Sequence, residues 1–366
     1  MEKLNIGLIF GGESSEHEVS CASAASIIKN IDKEKYNVIK IWIDKNGVWF
    51  VYEGPVEYIE NSSLASKPQD AEFIPAILSP CSVTGGLLIL DKQKSMYSVL
   101  KLDCIFPIIH GAMGEDGVLQ GLLELSHIPY VGCKTASSAV CMDKVLTKVI
   151  MDNKKIKQAD WIFFYKHEID NNLENVLDKI CNKFSFPIFT KPSNTGSSVG
   201  VSKARTREEL AEALIKAAEY DRKVIVEEFI DGREIEVAIL ETSNDREYQM
   251  LVSPCGEIKT GGDFYDYNDK YINGKSSTAV PADISEELSE KLRKTAAEIF
   301  RYLECRGFCR CDFFVCGEQI IFNEVNTLPG FTKISMFPML MCNLGLSYTE
   351  LISRLIQYAI DNKNTL

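Results

Sequence analysis

The stretch LNIGLIFGGESSEHEVS, residues 4–20, decides the fold. LNIGLIF is a short, nearly continuous apolar run, the pattern of a strand buried on both faces. Gly11 and Gly12 break it, and Ser15 with Glu18 fits a capping box that opens a helix through about Ile31. NVIKIWID (37–44) and LDCIFPII (102–109) read as two further strands. Strands alternating with helices imply an α/β fold with a parallel sheet. Residues 53–96, with Pro55, Pro68, Pro75, Pro80 and Gly85–Gly86, read as an irregular, elaborated connection.

Beyond this, a helix over about Ser137–Met151 closes a first unit. Strands near 186–191 and 223–229 flank a helix at 207–220. The last third holds a helix at 285–304, strands FCRCDFFV (308–315) and QIIFNEVN (319–326), and a helix at about 347–361. No internal repeat or low-complexity tract interrupts them.

A chain of 366 residues has room for two or three packed units. Its 45% hydrophobic and 25% charged residues are ordinary for a soluble globular protein. No apolar run approaches the roughly 18 residues that cross a bilayer. The N-terminal apolar stretch is short and runs into Gly-Gly and three acids, unlike a secretory leader. The expected location is the cytoplasm, with no membrane partner. The net charge of −12 and the lack of a Lys/Arg block argue against nucleic acid. An acidic chain can still hold an anion such as ATP on a few well-placed cations. The twelve cysteines include no C-x-x-C pair; Cys305, Cys309, Cys311 and Cys316 are the densest group. They read as reduced thiols rather than a metal site.

Chemistry concentrates in four places. In the two late strands, side chains alternate faces, so Arg310 shares a face with Asp312, and Glu324 with Asn326. A hairpin around Cys316–Gly317–Glu318 brings the four together, and Asp312, Glu324 and Asn326 offer hard oxygen ligands that suit Mg²⁺ bound with phosphates. A solvated polar face would look the same. Asn326 leads into a Pro329–Gly330 turn whose backbone N–H groups can cradle an oxyanion. Second, Lys191 ends a strand, and Gly196, Ser197, Ser198 and Gly200 follow in a donor-rich turn suited to phosphate, although no Walker A motif is present. Third, GGDFYDYNDKYINGKSS (261–277) has the aperiodic, aromatic and glycine-rich character of a lid, with Lys270 able to reach a phosphate and Tyr271 able to hydrogen-bond. Fourth, His110 and the Gly11–Gly12 turn follow strand ends, where ligands bind in open α/β sheets. A plain loop or turn remains the alternative reading for each of the last three.

With these residues assembled, the chain resembles the D-alanine–D-alanine ligase family of ATP-grasp enzymes. The resemblance runs through FGGESSEHEVS (10–20), FPIIHGAMGEDGVLQGLLEL (106–125), MDK (142–144), KPSNTGSSVGVSK (191–203), VEEFIDGREIEVA (226–238), FYDYNDKY (264–271), GFCRCDFF (307–314) and NEVNTLPGFTKISMFP (323–338). It implies an ATP-grasp fold behind an N-terminal parallel α/β domain (1–143). A central subdomain (144–234) and a C-terminal one (235–366) would follow, with a lid at about 260–281. It implies ATP-dependent joining of two D-alanines through an acyl phosphate, for peptidoglycan, by a cytoplasmic homodimer. ATP and two Mg²⁺ ions, with Mn²⁺ as a substitute, are the implied cofactors.

The resemblance also assigns residues. Lys144, Lys191 and Lys270 fall on ATP phosphates, Glu227 on adenine and Glu234 on ribose. Asp312, Glu324 and Asn326 hold metal, Glu324 also bordering the ATP. Glu16 holds the ammonium of the first D-alanine, with Ser197 and Tyr271 linking it to the lid. Arg310 and the Gly330 N–H meet the oxyanion. Ser335 meets the carboxylate of the second D-alanine, beside Met336, and His110 joins the substrate set. Two features depart or diverge. DNKKIKQADWIFFY (152–165) lacks the Gly and Pro common there, which bears on linker geometry. A D-alanine–D-serine ligase would tend to carry Arg at Met336, and a D-alanine–D-lactate ligase would tend to lack Tyr271; both remain alternatives.

Overall fold

A computed structural model describes residues 2–91, 96–244, 247–259 and 277–363. Strand β1 (Leu4–Gly11) leads into helix α1 (His17–Asn30) and pairs in parallel with β2 (Tyr36–Ile43). The expected Ser15–Glu18 capping box does not form. The helix starts at His17 after Glu16, and no side chain caps it. Ser14 Oγ instead accepts the Glu16 N–H at 3.1 Å, which leaves the Glu16 carboxylate to face the site.

The first sheet is only partly parallel. Its order is β6-β5-β4-β3-β2-β1-β7, from β3 (Trp49–Glu53), β4 (Glu72–Leu78), β5 (Gly86–Asp91), β6 (Met96–Lys101) and β7 (Cys104–Pro107). Only β2-β1-β7 runs parallel; the rest is antiparallel. The segment 53–96 is therefore largely regular, with a short helix α2 (Val56–Glu60) besides its strands. Most of its prolines and glycines sit in the connections. Antiparallel neighbours need only short links, so strands of five to seven residues fit between such breaks.

Helix α3 (Val118–Ser126) packs on this sheet. The single helix expected over 137–151 is two, α4 (Thr135–Met142) and α5 (Lys144–Asn153). Asp143 leaves helical geometry at φ −82° and ψ 98°, and its carboxylate accepts N–H bonds from Val145 and Leu146. The aspartate caps a new helix rather than continuing the old one.

The second sheet, β10-β9-β11-β8, is antiparallel. It consists of β8 (Trp161–Tyr165), β9 (Ile188–Pro192), β10 (Ser202–Ala204) and β11 (Lys223–Glu228), with α6 (Lys166–Lys183) and α7 (Arg207–Tyr220) packed against it. The third sheet is built on β12 (Arg233–Asn244), with β13 (Glu247–Val252), β14 (Gly256–Lys259), β15 (Ser277–Ala279), β16 (Phe308–Cys316) and β17 (Gln319–Asn326). Ile235, Val237 and Ile239 of β12 pack with α8 (Glu286–Tyr302). Ala238 and Leu240 on its other face join α9 (Met336–Asn343), α10 (Tyr348–Asp361) and the β1–α1 side of the first unit in one core. That shared core fixes the N-terminal loops against the C-terminal sheet. No helix of the described residues is long and apolar enough to cross a membrane.

Candidate active site

Two adjoining cavities, of about 140 and 420 Å³, lie where the three units meet. Every described residue to which the resemblance assigns a role lines one of them, whereas Gly11, Gly12 and Gly200 line neither. Lys270 and Tyr271 lie outside the described residues.

The smaller cavity is built on the first unit's loops. Gly11 has φ +92°, and a Cβ there would stand 2.2 Å from the Ile43 carbonyl, so only glycine makes this turn. Gly111, at φ +76°, leaves room for the Glu16 carboxylate, which a Cβ would approach to 2.7 Å. Ser14 Oγ donates to the His110 carbonyl at 2.6 Å, tying the loops together. Glu16 is buried and accepts a hydrogen bond from Ser197 of the glycine-serine turn. His110 is buried with Nδ1 3.3 Å from Glu115 Oε1. Burial disfavours the imidazolium, but the Glu115 contact outweighs it and holds His110 above its ordinary value. Burial likewise pushes the Glu115 carboxyl up.

One wall comes from β16 and β17. The hairpin turns at Gly317 (φ +60°), and the register sets Arg310 opposite Asn326 and Asp312 opposite Glu324. Strand alternation thus brings these four together as expected. Arg310 donates to both Asp312 oxygens at 2.7 Å and lies 3.0 Å from Glu236. Burial opposes its charge, yet Asp312 and Glu236 raise the guanidinium well above its usual range. Asn326 Oδ1 accepts the Leu328 N–H at 2.9 Å and so starts the loop that carries Gly330. A Cβ on Gly330 would lie 2.8 Å from Ser335 Oγ. Ser335 Oγ in turn accepts the Thr332 N–H at 3.0 Å. Met336 is buried beside Gly256, where a Cβ would meet its Sδ at 2.7 Å.

The larger cavity is floored by lysines. Glu227, 4% exposed, pairs with Lys148 at 2.8 Å and Lys191 at 2.6 Å. Burial would raise its pKa, but the two lysines bring it to about 2. The same contact outweighs burial at Lys191, which is raised. Lys144 donates to the Thr195 carbonyl at 2.7 Å, and burial lowers its pKa. Asp143 anchors the start of α5, accepting from Ser193 Oγ at 2.7 Å and pairing with Lys223. Glu234, at the start of β12, lines the outer part.

Three contributors escaped the sequence reading. Glu115 lies inside the quoted HGAMGEDG run. Glu236 shares a strand face with Glu234 in REIEVAIL, an alternation that could have exposed it. Lys148 stands one turn after Lys144 on α5, a spacing that normally means a solvated helix face.

The described residues contain no group of three His, Cys, Asp or Glu side chains arranged to hold a metal. Asp312, Glu324 and Asn326 do form an oxygen-only set next to a lysine-lined cavity. That set fits Mg²⁺, which takes one or two carboxylates and completes its shell with water and phosphate.

Comparison with known proteins agrees with this geometry. Models of the D-ala D-ala ligase N-terminus and C-terminus match residues 5–133 and 150–357. A D-alanine–D-alanine ligase of Acetivibrio thermocellus is 47% identical over 99% of this chain and 97% of its own. One of Ruminiclostridium cellulolyticum is 46% identical, covering 99% and 96%. Among solved structures, the VanG D-Ala:D-Ser ligase of Enterococcus faecalis is 36% identical with a TM-score of 0.85, covering 98% of this chain and 100% of that one. The D-alanine–D-alanine ligase of Coxiella burnetii is 32% identical with a TM-score of 0.81, covering 100% and 96%. The chain belongs to the D-alanine–D-alanine ligase family and has its ATP-grasp fold.

Proposed function

We propose that the chain joins two D-alanines to D-alanyl-D-alanine, with ATP converted to ADP and phosphate, for peptidoglycan synthesis. The observation that carries this is the cavity pair. Lysines face carboxylates across the larger cavity, and Arg310 and Gly330 border the smaller one.

ATP lies in the larger cavity, its phosphates on Lys144 and Lys191 and its nucleoside toward Glu227 and Glu234. Glu16 receives the ammonium of the first D-alanine, held in place by Ser197. The carboxylate oxygen of this D-alanine attacks the γ-phosphorus and ADP leaves, giving a D-alanyl phosphate. Asp312, Glu324 and Asn326 would hold two Mg²⁺ ions, or Mn²⁺, which supply charge neutralisation on the phosphates. The neutral amine of the second D-alanine, its carboxylate at Ser335, attacks the acyl carbon. Arg310 and the Gly330 N–H receive the oxyanion. The C–O bond to phosphate then breaks, and the amine proton passes to the departing phosphate. Water must be excluded while the acyl phosphate exists, a role for a lid at 260–281 carrying Lys270 and Tyr271.

The three sheets support units at 1–143, 144–234 and 235–366. The family resemblance supports a homodimer, and twelve free cysteines fit the reducing cytoplasm. The likeness to a D-Ala:D-Ser ligase raises D-serine as second substrate. Against it stand the D-alanine ligases at higher identity and the apolar Met336 beside Ser335. The test is a product assay with ATP, Mg²⁺ and single or paired D- and L-amino acids. One phosphate per D-alanyl-D-alanine is expected, with L-alanine inert. A preference for D-serine, or ATP turnover independent of amino acid, overturns the reading.

A further inference from the structure

Helix α1 carries three buried serines at a spacing of three, Ser20, Ser23 and Ser26. Each hydroxyl leaves the helix for a functional loop. Ser20 Oγ accepts the Gly11 N–H at 2.8 Å and donates to the Ile108 carbonyl at 2.5 Å. Ser23 Oγ lies 3.2 Å from His110 Nε2 and accepts the Phe331 N–H at 3.3 Å. Ser26 Oγ lies 3.2 Å from the Tyr348 hydroxyl, which donates to the Phe331 carbonyl. The Phe331 backbone is thus clamped at both its N–H and its C=O. Its ring is fully buried, edge-on to Phe106 and Phe308. Gly330, the residue before it, has no side chain of its own to hold it.

We infer that Ser23, assisted by Tyr348, is a positioning residue that aims the Gly330 N–H at the reacting carbonyl. This rests on the assignment of Gly330 to the oxyanion. A glycine between two unpinned peptides would sample several orientations, and a donor stabilises an oxyanion only when it is preorganised. Fixing the Phe331 N–H pins the peptide that follows Gly330, and fixing the Phe331 C=O pins the next, which narrows that freedom. The geometry also explains why the anchor is on α1. Glu16 stands at the start of this helix and Ser23 seven residues along it, about 10 Å at the rise of an α-helix. One rigid element therefore sets both the subsite for the first D-alanine's ammonium and the donor for its carbonyl oxygen. Ser23 can serve His110 and Phe331 together, because a hydroxyl oxygen accepts twice and donates once.

The experiment separates the two chemical steps in the full-length enzyme. Phosphoryl transfer is read as D-alanine-dependent positional isotope exchange in γ-labelled ATP, and ligation as dipeptide formation. The variants are Ser23→Ala, and Tyr348→Phe, which keeps its ring and does not touch His110. Removing an oxyanion donor outright costs about 10²–10³ in rate. A misaimed one should cost roughly ten-fold in dipeptide formation, with isotope exchange and the KM for ATP within about two-fold. Tyr348→Phe should shift the same ratio in the same direction by less. Equal losses in both steps, or no loss in either, overturn the inference. If Ser23→Ala does not fold, the ratio in Tyr348→Phe decides alone. Wild type that makes no dipeptide sinks the ligase reading. Wild type that ligates, with both variants keeping its ratio, sinks only the positioning role.

Discussion

Two charge clusters flank the adjoining cavities, and their signs are reversed. On the central unit, Lys144, Lys148 and Lys191 surround one carboxylate, Glu227. On the C-terminal sheet, Glu236, Asp312 and Glu324 surround one guanidinium, Arg310. Neither is balanced within itself. The two also act on each other, since the Glu324 carboxylate favours the charged form of both Lys144 and Lys191. On the proposed function the lysine side would meet phosphate and the carboxylate side a metal cation. Magnesium bound to ATP would engage both at once. The smaller cavity shares Lys144, Glu236, Arg310 and Glu324 with these clusters and adds Glu16, His110 and Ser335, separate polar groups suited to recognising a small substrate.

The lysine cluster can be broken most severely at Glu227. Glu227→Gln leaves two buried lysines sharing no carboxylate, and removal of one partner from a buried pair costs about 3–5 kcal/mol. Chemical denaturation at neutral pH measures it. The pH dependence has a fixed sign. Glu227 is depressed from 4.5 to about 2 in the folded protein, so its contribution is present above pH 4.5 and is lost as pH falls toward 2. The gap between wild type and variant should therefore close over that window. A gap independent of pH would mean that the ion pairs do not set the stability.

In the carboxylate cluster all but Glu236 was legible in the sequence, and in the lysine cluster all but Lys148, each for a geometric reason. In β16 and β17 a period of two lets Arg310, Asp312, Glu324 and Asn326 be assigned to faces without knowing the rest of the molecule. Lys148 is buried by β11, a contact between residues 79 positions apart that helix periodicity cannot foresee. Glu236 was missed because β12 was not assigned, although its alternation was present. The strands of 72–101 were hidden by the prolines and glycines of their connections. The break at Asp143 was hidden because an aspartate within an apolar helix pattern looks like surface until its capping bonds are seen.

The carboxylate cluster is tested by Asp312→Asn and Glu324→Gln. Each should lower turnover by about 10²-fold or more, with the loss largest at limiting Mg²⁺ and the circular dichroism unchanged. Normal activity for both would remove the metal assignment and, with it, the joint role of the two clusters. A smaller effect is expected in the second subsite. Met336→Arg offers a donor where a serine hydroxyl would otherwise be buried without a partner. The ratio of D-alanyl-D-serine to D-alanyl-D-alanine at equal substrate should rise roughly ten-fold, the equivalent of one buried hydrogen bond. An unchanged ratio means that Met336 does not set the choice. The smallest effect belongs to the lid. Tyr271→Phe removes one hydroxyl worth about 0.5–1.5 kcal/mol, so the KM for the first D-alanine should rise by a few-fold. Cleavage of 260–281 by protease should be slowed by ATP and D-alanine in wild type and less so in the variant. If these ligands leave cleavage unchanged, the lid role is wrong.

The central claim, that the two clusters together transfer the γ-phosphoryl group to a carboxylate, is tested most directly by isotope. D-Alanine labelled with ¹⁸O in its carboxylate is turned over with ATP and Mg²⁺, and the inorganic phosphate is weighed by mass spectrometry. In an acyl-phosphate route the attacking carboxylate oxygen stays with phosphorus when the amine displaces it. The account predicts one ¹⁸O in phosphate for each dipeptide formed, and none in AMP. Label appearing in AMP, or phosphate carrying only solvent oxygen, would contradict it.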